Sequence, residues 1–214
     1  MYLTRVMLDV ENRRKMKHAS HIGAIHSLIE DSFPEEKQDG IRTRKLWRID
    51  PLGGKRYLLI VSEKMPDHNA LETIGVRGNI QTKDYEPFLS RLENGMTARF
   101  RVKLNPVWSS RDGKAKGERG RVVPVPDGEQ KQFLLNRAEQ NGFSLREEDY
   151  DIVERGVELY RKKGQQDIYL KKAVYEGMLT ITDKKAIERV LREGMGKKKA
   201  YGFGLMTLIP MKVL

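Results

Sequence analysis

Four histidines, at positions 18, 21, 26 and 68, are the side chains of this sequence best suited to move a proton near neutral pH. There is no cysteine, which excludes thiolate catalysis, disulfides and zinc ribbons. His26 stands out by its placement. It falls within a run in which Ile22, Ile25, Leu28, Ile29 and Phe33 share one face at helical spacing. It lies about 75° from the middle of that face, at the boundary of core and solvent. A histidine there is oriented by packing yet reaches a ligand, and an ordinary pKa of about 6.5 suits general acid or base work. The competing reading is a boundary histidine that is only packed or capped. His21 lies on the opposite flank with no HExxH carboxylate, so a helical zinc site is not indicated. His68 follows Pro66 and Asp67 in an expected turn, facing water. No serine sits in a nucleophile elbow and no paired-carboxylate motif stands out; carboxylates for a two-metal nuclease stay an open alternative, although the basic segments are poor in them, and no cofactor is expected.

A second constellation lies near the C-terminus. From Gly194 to Leu205 the chain sets Gly194, Gly196, Gly202 and Gly204 around Lys197, Lys198 and Lys199. Glycine permits close backbone approach and positive φ, and three successive lysines favour a negative partner. A helical run (Ala186, Ile187, Val190, Leu191) precedes the loop and a strand-like run, 205–209, follows it. Mononucleotide loops need the reverse order, with the helix N-terminus facing the phosphates. The loop therefore reads as a surface for a polyanion such as nucleic acid, with a glycine helix stop and solvated turn as the alternative.

The elements that must position these residues follow from periodicity. A strand opens the chain over 2–10, and the His26 helix follows a basic stretch, with Ser20 as its expected cap. Strands over 46–49 and 57–62 flank a turn at 50–54; 70–81 reads as strand or irregular, and 85–92 as a short helix. The pattern then repeats, with a strand over 96–104, a helix over 129–140, and long strands over 150–161 and 168–181. A helix capped by Asp183 and the last strand complete it. The segment 109–121, polar and highly charged, reads as a loop. The expectation is an α+β chain of two tandem ferredoxin-like βαββαβ domains, 1–93 and 94–214, a scaffold shared with readers of single-stranded RNA.

Composition agrees with a nucleic-acid partner. The formal net charge is +11, and it is segregated: residues 99–121 carry +6 and 161–172 carry +4, whereas 127–158 carry -5. No stretch approaches the roughly 20 apolar residues of a membrane span, and the N-terminus has no signal-peptide layout, so no membrane partner and a cytoplasmic location are expected.

The motifs also resemble those of the CasE family, the repeat-processing endoribonucleases of CRISPR systems with a Cascade complex. The likeness covers essentially the whole length: 1–6, the helix from His26 to Pro34, the strand from Phe100 to Pro106, the segment from Tyr175 to Thr182, and the glycine loop, which is its most specific part. The resemblance implies binding of the CRISPR repeat RNA hairpin and cleavage at its 3′ base without a metal, leaving a 2′,3′-cyclic phosphate. Other Cascade subunits become expected partners. It also implies a catalytic role for His26 and RNA contacts from the loop and from a basic hairpin tip at Arg161, Lys162 and Lys163. The family's frequent tyrosine three residues before the histidine is here Gly23. Whether His21, His18 or a lysine takes its place is open. A non-catalytic hairpin-binding subunit and a generic ribosomal or transfer-RNA binder are the alternatives.

Overall fold

The computed structural model describes residues 1–110, 113, 120–161 and 164–211. Strand β1 (Tyr2–Leu8) turns Val6 and Leu8 inward. A short helix α1 (Arg13–Lys17), capped by Asn12, precedes α2 (Ile22–Asp31), which buries Ile22, Ile25 and Ile29 at about 2 kcal/mol each. Helix α3 (Pro34–Asp39) leads to the hairpin of β2 (Lys45–Leu52) and β3 (Lys55–Ser62). Helix α4 (His68–Leu71) and strand β4 (Gly75–Asp84) finish the unit, whose strands pair antiparallel in the order β2-β3-β1-β4.

Helix α5 (Glu86–Ser90) connects to β5 (Thr97–Leu104). A small hairpin, β6 (Val107–Ser110) and β7 (Arg121–Pro124), comes next. Most of the loop expected at 109–121 lies outside the described residues. Helix α6 (Gln130–Ala138), strands β8 (Phe143–Ser144), β9 (Tyr150–Tyr160) and β10 (Ile168–Ile181), helix α7 (Lys184–Glu193) and strand β11 (Met206–Pro210) follow. Strand β5 lies between β11 and β10, and β9 runs antiparallel along β10. The order β11-β5-β10-β9 repeats β4-β1-β3-β2, so the chain is a tandem ferredoxin-like α+β fold.

Three local expectations change. His21, not Ser20, caps α2: its Nδ1 accepts from the Ala24 N–H at 3.2 Å. The stretch 70–81 divides between the end of α4 and β4, because Asp67 caps a single helical turn before the chain re-enters the sheet. His68 does not face water. It is half-buried beside β4, with Nε2 2.8 Å from the Thr82 hydroxyl.

The two sheets share their cores. Leu46, Val61, Tyr85 and Leu89 pack into the cluster around Phe100 and Leu205, while Leu170 and Phe203 join Ile25 and Leu58 on the other side. Neighbouring residues of β2 point to opposite faces. Trp47 lies against Gly202 and donates its indole N–H to the Ala200 carbonyl at 2.9 Å. Arg48, only 1% exposed, faces the other way. Its Nη1 donates to the carbonyls of Arg101 and Leu205, both at 2.7 Å, and its Nη2 to the Thr207 hydroxyl at 2.8 Å. Its Nε and Nη2 grip Asp50 at 2.7 and 2.6 Å. All five N–H groups are satisfied.

Removing that guanidinium takes two donors from Asp50, which keeps only Arg101 Nε at 3.0 Å, and withdraws Nη1 from the carbonyls of Arg101 and Leu205 in a desolvated place. Arg48→Met is expected to cost about 3–5 kcal/mol of stability in urea unfolding, and Arg48→Lys to recover only part of it, since an ammonium cannot span the fork. A loss below about 1 kcal/mol for the Met variant would remove the network from this role.

Candidate active site

Helix α2 carries His26 on the flank that meets the glycine loop. The side chain is 19% exposed and contacted on three sides. Nδ1 lies 3.8 Å from Glu30 Oε1, one helical turn on. Nε2 is 3.0 Å from Arg42 Nη2. The ring of Tyr201 meets the imidazole edge-on, with centroids 5.3 Å apart and planes at 68°. A guanidinium only donates, so Nε2 accepts, and the imidazole proton sits on Nδ1 toward Glu30.

The surroundings set its charge. Burial pushes the His26 pKa down; the Glu30 carboxylate opposes this, while Arg42 and Lys45 add to it, and the net direction is downward. A neutral imidazole is therefore the resting form at neutral pH. Lys45 is nearly fully buried and bonds Glu36, with Glu30 at 3.4 Å and the Thr43 carbonyl at 3.3 Å. Burial alone would raise Glu36, but Lys45 and Thr43 outweigh it and hold that carboxyl low. Arg42 Nε reaches Glu30 Oε2 at 3.0 Å, so Glu30 joins the histidine to both cations.

The loop departs in part from its sequence reading. Gly194, Gly202 and Gly204 are buried, and the close approach they allow is to the protein itself rather than to a phosphate. At Gly202, with φ 79°, a Cβ would stand 2.7 Å from the Trp47 ring; at Gly204, with φ 86°, one would stand 2.4 Å from the Met195 carbonyl oxygen. Gly194 approaches Leu46 in the same way. Gly196, Lys197 and Lys198 lie on the outer arc; Lys199 is half-buried, its pKa pushed down by burial and by Arg44 although Glu193 opposes. The outer arc of the loop is thus a cationic surface and its inner arc a packing surface.

At the β9–β10 hairpin, Arg161 is exposed and paired with Asp167 at 3.1 Å; Lys162 and Lys163 lie outside the described residues. Its base touches α2. A Cβ at Gly23 would sit 3.1 Å from the Arg161 carbonyl oxygen and from the His21 ring. The residues held open as substitutes for a tyrosine at 23 are occupied otherwise: His21 caps the helix and Lys45 is bound to carboxylates, while His18 is exposed at the end of α1. The phenols come from elsewhere. Tyr160 of β9 lies 4.7 Å from Tyr201, ring to ring, with the hydroxyls 3.5 Å apart.

Sequence reading missed Glu30, Arg42, Tyr160 and Tyr201. The i,i+4 spacing of His26 and Glu30 was the one available signal, since the other three reach the site only through tertiary contacts. Among the described residues no group of three or more His, Asp or Glu could hold a metal ion. Nor is any described helix long and apolar enough to cross a membrane.

A family model described as CRISPR associated protein matches residues 1–210. The chain is 26% identical to the CRISPR-associated endoribonuclease Cse3 of Thermus thermophilus over 98% of its own length and 100% of the relative's. It is 28% identical to the CRISPR system Cascade subunit CasE of Escherichia coli over 72% of this chain and 75% of that one. Among solved structures, CRISPR endoribonuclease Cse3 bound to 19 nt RNA superposes with a TM-score of 0.79 at 25% identity, covering 98% of this chain and 100% of that one. Escherichia coli Cas6e shares the fold at TM-score 0.61 and 19% identity, over 99% and 100% of the two chains. With its CasE-like motifs and its Cse3-like fold, the chain belongs to the CRISPR associated protein family.

Proposed function

We propose that this protein is an endoribonuclease that binds the hairpin of CRISPR repeat RNA, cuts at the hairpin's 3′ base without a metal ion, and stays on the product as a subunit of a Cascade effector in the cytoplasm. Two units, 1–93 with the histidine and 94–214 with the loop and basic hairpin, would share the work. The observation that carries the reading is His26: neutral, with the Glu30 carboxylate 3.8 Å from Nδ1, and presenting Nε2 toward the cationic side of the molecule.

The chemistry follows from that arrangement. The 2′-hydroxyl oxygen attacks the adjacent phosphorus while its proton passes to His26 Nε2. The bond from phosphorus to the 5′-oxygen breaks, and that oxygen takes a proton from water; His26 later returns its own to solvent. The products are a 2′,3′-cyclic phosphate and a 5′-hydroxyl. Cationic side chains around the site stabilise the charge on phosphorus. Lys197, Lys198, Lys199 and Gly196 would form the outer grip on the RNA backbone, with Arg161, Lys162 and Lys163 as further RNA contacts. Gly194, Gly202 and Gly204 support that grip from within.

Incubation with the protein's own repeat RNA in EDTA is expected to give a single cut ending in a 2′,3′-cyclic phosphate. His26→Ala is expected to abolish it with binding retained. Equal cutting by the variant would remove His26 as the base, and binding without any cutting by the natural protein would favour a purely structural subunit.

The pH dependence carries a sign. A base works unprotonated, so kcat/KM, which reports the free protein, should rise with pH through the His26 pKa and level off, with a midpoint below about 6.5. Glu30 raises that pKa, so Glu30→Gln should move the midpoint further toward acid. A midpoint above that of the natural protein would contradict the assignment.

Changing Lys197, Lys198 and Lys199 together to Ala should weaken RNA binding and lower its log-log salt slope by about one for each phosphate that these lysines neutralise. An unchanged slope would take the loop out of the interface.

A further inference from the structure

The base of the proposed reaction is not free in the unliganded protein, because Arg42 donates to the ring nitrogen that must take the proton. We propose that Arg42 is a second catalytic residue: without RNA its guanidinium caps His26 Nε2, and with RNA bound it leaves that nitrogen and holds a non-bridging oxygen of the scissile phosphate. This rests on His26 being the base.

The geometry leads there in three steps. First, a lone pair already accepting from Arg42 cannot accept the 2′-proton, so this hydrogen bond must break before cleavage. Second, it is easily broken. Arg42 lies between α3 and β2 in a stretch without regular structure, its side chain is 65% exposed, and its remaining bond is to Glu30 at 3.0 Å. Third, the place it occupies is where the phosphate must go. A 2′-oxygen within hydrogen-bond reach of Nε2, about 3 Å, puts the neighbouring phosphorus and its oxygens within a few ångströms more, and Arg42 Nη2 now stands 3.0 Å from Nε2. A guanidinium pairs with two phosphate oxygens at once, which suits a group whose charge grows in the transition state. Arg42 donates hydrogen bonds throughout and transfers no proton.

The other groups facing His26 do not compete for this role. Glu30 from the same helix is an anion, Tyr201 from the loop is a phenol bonded to Tyr160, and Lys45 from β2 is buried and committed to Glu36. Among the described residues that touch the imidazole, Arg42 alone is a cation with an exposed head group.

The test compares Arg42→Ala, Arg42→Gln and Arg42→Lys in the full-length protein with its repeat RNA. Binding is measured on RNA whose scissile 2′-hydroxyl is replaced by hydrogen, and cutting in single turnover. The expected result is a rate loss of roughly 100-fold for Ala and Gln, partial recovery for Lys, and affinity within about threefold of the natural protein. By NMR, the His26 imidazole of the unliganded Ala variant should titrate at higher pH than in the natural protein, because a neighbouring positive charge is gone. Full cutting by Arg42→Ala overturns the proposal, as does an affinity loss with an unchanged maximal rate, which would make Arg42 a grip only. An unmoved His26 titration overturns the cap. If His26→Ala cuts normally, the base assignment itself fails; if His26→Ala is inactive while Arg42→Ala is fully active, only the role of Arg42 falls.

Discussion

A buried positive charge governs how the two sheets meet. Arg48 is 1% exposed, and a charge so placed is tolerated only when its donors are all used. Three of its acceptors, the carbonyls of Arg101 and Leu205 and the Thr207 hydroxyl, belong to the second sheet or its approach. Sliding β2 against β5 and β11 would strip Arg48 of those three acceptors and leave it only Asp50, which rides on the same strand, so the observed register is favoured. Trp47, adjacent on β2 but on the opposite face, fastens the glycine loop through Ala200 and Gly202. One strand therefore positions the loop from one face while anchoring the sheets from the other. Because the loop carries Tyr201 to His26, the geometry of the site inherits the rigidity of that strand.

The electrostatics of the site form a chain. Lys45 is bound mainly by Glu36, which leaves Glu30 oriented toward both His26 and Arg42. Were Lys45 unpaired, its charge would depress the histidine further; were Glu30 absent, nothing would oppose burial. The result is a histidine that stays neutral yet has a defined Nδ1–H direction, the combination a general base needs.

Much of this was legible in the sequence, and the rest was hidden for physical reasons. Periodicity located His26 on the edge of its helix, and alternation located the long strands of the second sheet, because both signals are local. The glycines of the loop said that something approaches closely, but not what: Leu46 and Trp47 lie some 150 positions away in the chain. Arg42 and Tyr201 carry no local pattern, since each reaches the site only through the tertiary fold. His21 displaced Ser20 as a cap because an imidazole nitrogen accepts a backbone N–H as a hydroxyl does, although histidine is not among the usual capping residues.

Gly23 shows how one missing side chain reorganises the site. A side chain at 23 would rise from the first turn of α2, one turn before His26, into the Arg161 carbonyl. With a Cβ there, 3.1 Å from that oxygen, the β9–β10 hairpin would have to give by a few tenths of an ångström, so glycine eases its close approach. The phenol near the histidine is supplied instead by the loop, and Tyr201 is braced by the hydroxyl of Tyr160, the residue before Arg161. Its pKa is raised, first by that hydrogen bond and then by burial, with Arg42 opposing, so the phenol keeps its proton throughout the range in which His26 titrates. Tyr201 thus packs edge-on against the imidazole and does not titrate with it. The hairpin strand meets the histidine helix by two routes, directly at Gly23 and through Tyr160 and Tyr201, so a displacement of β9 must be felt at the histidine.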